Sequence, residues 1–121
     1  MKRTYYRKLI RDKVPEKMRR LGKAFEVRTM ARKEFRTELL KKVGEEASAL
    51  PKLKKGKEIA PEIADVLDVL DEVRREFKIP AREIAKARKE NEKKKGGFKK
   101  RVYLLWSQSD DYTTNERRGI R

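Results

Sequence analysis

The chain has 121 residues, 46% charged and 36% hydrophobic, with a formal net charge of +16. It contains neither cysteine nor histidine, which excludes disulfides, thiolate zinc sites and imidazole proton shuttles, so any chemistry must rest on carboxylates, lysines, arginines or tyrosines. No apolar run reaches the length of a membrane span and Met1–Tyr5 leads into no signal-peptide core, so the expectation is a cytoplasmic protein whose modest core favours a homodimer or higher oligomer.

Residues 2–13 are basic and aromatic. A short helix is expected next, with Asp12 as its cap, Pro15 in its first turn and Gly22 at its end. Phe25 to Arg28 reads as extended. A second helix is predicted from Ala31 to Leu50, with Thr29 as cap and a stripe of Phe35, Leu39, Leu40, Val43, Ala47 and Leu50. Pro51 stops it, and a basic loop runs to Gly56. The third helix is predicted from Pro61 to Phe77, with Ile63, Val66, Leu67, Leu70, Val73 and Phe77 on one face. Pro80 opens a fourth, which frays at Gly96-Gly97. Val102 to Trp106 reads as strand-like or extended, with Tyr103 and Trp106 expected to pack in the core. Residues 107–121 are polar and aperiodic and read as a mobile tail, so residues 1–106 form the expected domain, with no internal boundary.

The acids are unevenly spread. Glu58, Glu62, Asp65, Asp68, Asp71 and Glu72 follow one another with no basic residue between, and Glu45 and Glu46 lie on the preceding helix. Glu62 and Asp65 are three apart and leave one helix face. A short loop favours antiparallel packing, which can bring them to Glu45 and Glu46. Carboxylates gathered there repel unless a cation lies between them, and a hard divalent ion suits their oxygens. The alternative is a solvated acidic face. Against it, the third-helix acids lack lysine partners at i,i+4, and they flank the apolar stripe.

Two basic strips stand beside the acids: Lys8, Arg11 and Lys13 near the start, and Lys95, Lys99, Lys100 and Arg101 around Gly96-Gly97. Each reads either as a phosphate-facing strip or as a solvated surface, with Gly96 capping the fourth helix. Gly44 either gives a neighbour room beside Glu45 or is incidental. The net charge also fits a nucleic-acid-binding module.

Lys8-Leu9-Ile10-Arg11-Asp12-Lys13-Val14-Pro15 resembles the K-L-V-R-D-K-I-P opening of a branch of the MazG-like all-α nucleoside triphosphate pyrophosphohydrolases, the phosphoribosyl-ATP pyrophosphohydrolase-like group. Glu62-Ile63-Ala64-Asp65-Val66-Leu67 is similar to its E-L-A-D-V-L, and Lys95-Gly96-Gly97-Phe98 to its R-G-G-F. The three stretches occur in the family's order and span roughly residues 5–105. With the four helical patterns, the resemblance implies an all-α antiparallel bundle of about four helices with short extended N- and C-terminal segments.

It also implies hydrolysis of a nucleoside triphosphate between the α and β phosphates, giving monophosphate and pyrophosphate. Magnesium, or manganese, would be held by Glu46, Glu62 and Asp65. Glu45 or Glu46 would orient the attacking water. Lys8, Arg11, Lys13, Lys95, Lys99, Lys100 and Arg101 would hold phosphate. The family's EExxE motif is incomplete here: Ala49 stands where the third glutamate belongs. A nucleotide-binding relative that cleaves weakly or not at all is therefore the alternative, ahead of the nucleic-acid module.

Overall fold

A computed structural model describes residues 2–108. Among them it contains four α-helices and no strand: α1 Val14–Arg20, α2 Arg32–Ala49, α3 Gly56–Glu76 and α4 Ala81–Lys95. A 3-10 turn, Leu50–Lys52, follows α2. The expected tail lies almost wholly outside the described residues. The chain falls into two compact units, Met1–Ile84 and Ala85–Arg121, where the sequence had suggested no boundary before residue 107.

In the first unit, α2 and α3 pack on each other. Leu39 is the one buried apolar side chain among the described residues, at 3% exposure. Phe35 and Val43 on α2, and Val66, Val69 and Val73 on α3, are half-buried. The stripes predicted for both helices are split: Leu40, Ile63, Leu67, Leu70 and Phe77 are exposed, as is Ile59 a turn earlier. The reason is polar intrusion. At 100° per residue, Lys42 and Glu46 fall on the same side of α2 as Phe35 and Leu39, so part of the face shared with α3 is ionic.

The caps differ from expectation. Neither Asp12 nor Thr29 caps a helix; Lys13 and Ala31 hold those positions without a side-chain hydrogen bond. Gly22 does close α1, at φ +70°, a conformation that glycine adopts without steric cost. α3 begins at Gly56, five residues before the proline expected to open it, so Pro61 lies inside the helix. Its missing N–H leaves the Lys57 carbonyl without that intrahelical partner.

In the second unit, Lys93, Lys94 and Lys95 occupy the last turn of α4, where they complement the helix dipole. Gly96 follows at φ +79°, as a helix-ending glycine should. Phe98 to Arg101 form a turn closed by the Arg101 N–H donating to the Phe98 carbonyl. Val102 to Trp106 are irregular, and Tyr103 and Trp106 are exposed. The core role expected for these two rings is not what the structure shows, since no regular element carries them into an interior. No helix among the described residues is long and apolar enough to cross a membrane.

Candidate metal centre

The last turns of α2 and the first half of α3 bring three carboxylates together. One oxygen from each of Glu46, Glu62 and Asp65 lies within 4.8 Å of the others. Opposite ligands of a divalent ion, at about 2.0–2.6 Å from it, stand about 4–5 Å apart, so the spread suits a single ion. Glu62 and Asp65 share a face because they are three apart on α3, and the sequence named all three.

Glu62 is the unusual member. Its Oε2 is buried and has no hydrogen-bond partner. Its carboxyl is pushed above the ordinary glutamate value, first by the Glu46 carboxyl within hydrogen-bonding reach, a contact that needs a proton, then by burial, and further by the charges of Glu46 and Asp65. A buried carboxylate oxygen without a donor is costly, and a cation there would satisfy it.

Three basic side chains border the cluster. Lys42 Nζ stands 3.4 Å from Glu45 Oε1 and 3.6 Å from Glu46 Oε1. Lys8 Nζ stands 3.1 Å from the same Glu45 oxygen. Arg11 Nη2 stands 2.9 Å from both Asp65 Oδ1 and Asp68 Oδ2. The hydrogen bond from Lys8 holds Glu45 below the usual glutamate range, helped by the charges of Lys42 and Lys8. Five carboxyl groups (Glu45, Glu46, Glu62, Asp65 and Asp68) thus meet three basic side chains.

Beside the cluster lies a cleft of about 480 Å³, lined among others by Arg11, Lys13, Lys42, Glu46, Asp68 and Val69. That volume falls within the range of small-molecule sites. Glu45 stays outside the trio, exposed and paired with lysines. Ala49 ends α2 on the side of the helix that carries Lys42 and Glu46. No helix among the described residues approaches Gly44 closely: a side chain there would meet open space.

The solvated-face reading holds for part of α3. Glu72 pairs with Arg75 three residues on, a local partner at i+3 and an arginine, outside the i,i+4 lysine pattern. Lys42 was also missed, although its i+3 and i+4 relation to Glu45 and Glu46 was visible. Lys95, Lys99, Lys100 and Arg101 lie in the second unit, all exposed, with Lys95 ending α4 and the other three in the turn that follows.

No protein-family model, no curated protein and no solved structure matches this chain.

Proposed function

We propose that the chain is a divalent-ion-dependent nucleoside triphosphate pyrophosphohydrolase of the MazG-like kind, an antiparallel helical bundle that works in the cytoplasm. The observation that carries this reading is the buried, donorless Oε2 of Glu62 beside Glu46 and Asp65, next to a cleft lined by Arg11, Lys13 and Lys42. Glu46, Glu62 and Asp65 would hold the ion. Bound magnesium or manganese would offset phosphate charge and lower the pKa of a water.

The chain's own residues supply the rest. Arg11 and Lys13 donate to phosphate oxygens, Arg11 through its planar fork. Glu45, kept ionised by Lys8, accepts a hydrogen bond from the attacking water; its lowered basicity suits orientation better than proton abstraction. Cleavage between the α and β phosphates gives monophosphate and pyrophosphate. Lys95, Lys99, Lys100 and Arg101 form a second phosphate-binding strip in this reading. A second copy of the chain covers the exposed α3 side chains Ile59, Ile63, Leu67, Leu70 and Phe77, because Leu39 alone is a small core for a stable fold.

The position of Ala49 favours one further reading, a nucleotide binder with little or no turnover. A screen of pyrophosphate release from nucleoside triphosphates, with and without magnesium, separates the two. The pyrophosphohydrolase reading expects magnesium-dependent release that Glu62→Gln abolishes and Ala49→Glu raises at low magnesium. Nucleotide binding without release, in the native chain and in Ala49→Glu alike, supports the binder.

A further inference from the structure

Two of the three cations at the carboxylate cluster arrive on a segment without regular structure. Residues 2–11 form no helix or strand, so their hold on the first unit rests on side chains. Lys8 and Arg11 supply ionic contacts. Leu9 and Ile10, half-buried between them, line the cleft with Phe35, Leu39 and Val69. Lys42, in contrast, is fixed on α2 with its side chain only 15% exposed.

Arg11 touches a member of the trio. Its Nη2 donates to Asp65 Oδ1 at 2.9 Å while standing equally close to Asp68 Oδ2, outside the trio. We propose that Arg11 couples ion and phosphate binding at this cleft: its guanidinium competes with a divalent ion for Asp65, and a phosphate group draws it away, so that ion and polyphosphate bind together better than either binds alone. This regulation presupposes the carboxylate site proposed above.

Three observations carry it. First, two cations on one carboxylate repel, so occupancy by one weakens the other. Second, the contact is easily broken. Arg11 and Asp65 side chains are 58% and 44% exposed, and exposed pairs contribute little. Third, Arg11 has somewhere to go. It keeps Asp68 when Asp65 turns to an ion, and a phosphate offers two parallel acceptors matched to its fork. The hydrogen bond to Asp68, with the charges of both aspartates, raises Arg11 above its ordinary value, so the coupling runs on a permanent charge and not on protonation. Thermodynamic linkage makes it reciprocal: whatever phosphate adds to ion affinity, the ion adds to phosphate affinity.

The test is manganese titration by electron paramagnetic resonance on the full chain, with and without saturating inorganic phosphate. Arg11→Gln should tighten manganese binding about two- to fivefold without phosphate, the range an exposed ion pair supports. Phosphate should tighten binding to the native chain by a similar factor and tighten it less in Arg11→Gln, where only the direct attraction between ion and phosphate remains. Lys8→Gln makes the same change of charge on Glu45, outside the trio, and should shift affinity less than Arg11→Gln does. Equal shifts in the two variants, or an equal phosphate effect in native and Arg11→Gln proteins, overturn the coupling and leave the metal site standing. No manganese binding by any of the proteins overturns both.

Discussion

The two ends of the α2–α3 contact treat a glutamate of α3 in opposite ways. At one end the Glu76 side chain, 5% exposed, receives Arg32 Nη1 at 2.6 Å and Arg36 Nε at 3.2 Å, and Arg36 also lies over the Phe77 ring. At the other end Glu62 meets the Glu46 and Asp65 carboxylates, and one of its oxygens has no donor. The same pair of helices thus satisfies one inward glutamate with two guanidiniums and leaves another facing its own kind. Where structure alone needs a buried acid neutralised, α2 supplies arginines. The absence of such a donor at Glu62 is the observation on which the proposed cation site rests.

The largest effect should come from making the clamped end resemble the other. Replacing both Arg32 and Arg36 by alanine strands a buried carboxylate. The expected loss is about 2–4 kcal/mol of folding stability by urea denaturation, below the range for a fully buried pair because both guanidiniums keep contact with water. A loss under about 0.5 kcal/mol would show that Glu76 finds other partners and that the two ends are not so different.

A smaller effect concerns pH. The Glu62 carboxyl is raised in the folded chain, so the fold favours its protonated form. The resulting stability is fully present below the ordinary value of 4.5 and is lost as pH rises through the raised one. Glu45 and Glu34, both lowered by basic partners, act with the opposite sign. Comparison with Glu62→Gln isolates the term. Without divalent ions, melting temperatures should show Glu62→Gln gaining on the native chain between acid and neutral pH, and saturating manganese should erase that gain by stabilising the native chain. A difference independent of pH would remove Glu62 from the titrating cluster.

The smallest effect lies between the two ends, at Gly44. It sits inside α2 with open space around it, so Gly44→Ala should stabilise the fold by about 0.5–1 kcal/mol, the helix penalty of glycine, and leave ion binding unchanged. A loss of ion binding would show that close approach at Gly44 matters to the cluster.

The gathering of carboxylates at one end was legible in the sequence because its signals are local and covalently spaced. Glu62 and Asp65 share a face by their separation of three, and the short connection after α2 carries Glu46 back towards them. The clamp at Glu76 was not legible. Its partners are 44 and 40 residues away, and nothing in a run of arginines says which glutamate they will meet. The helix pattern held where periodicity decides it, as in the long middle helices and α4. It failed where a residue had two meanings. Pro61 read as a helix start and proved to be interior, while Asp12 and Thr29 had the chemistry of caps without the position. Tyr103 and Trp106 read as core because they are apolar, but burial needs a covering surface, which hydropathy does not record. Lys8 and Arg11 were read as phosphate ligands; the structure places them on Glu45, Asp65 and Asp68, contacts that depend on the path of a segment without periodicity.

The most direct measurement is manganese binding to three proteins under one set of conditions: the native chain, Glu62→Gln and Glu76→Gln. If Glu46, Glu62 and Asp65 hold an ion, the native chain binds manganese, Glu62→Gln weakens it by about tenfold or more, and Glu76→Gln leaves it unchanged. Equal affinity in the native and Glu62→Gln proteins, with both folded, would contradict the assignment of the site.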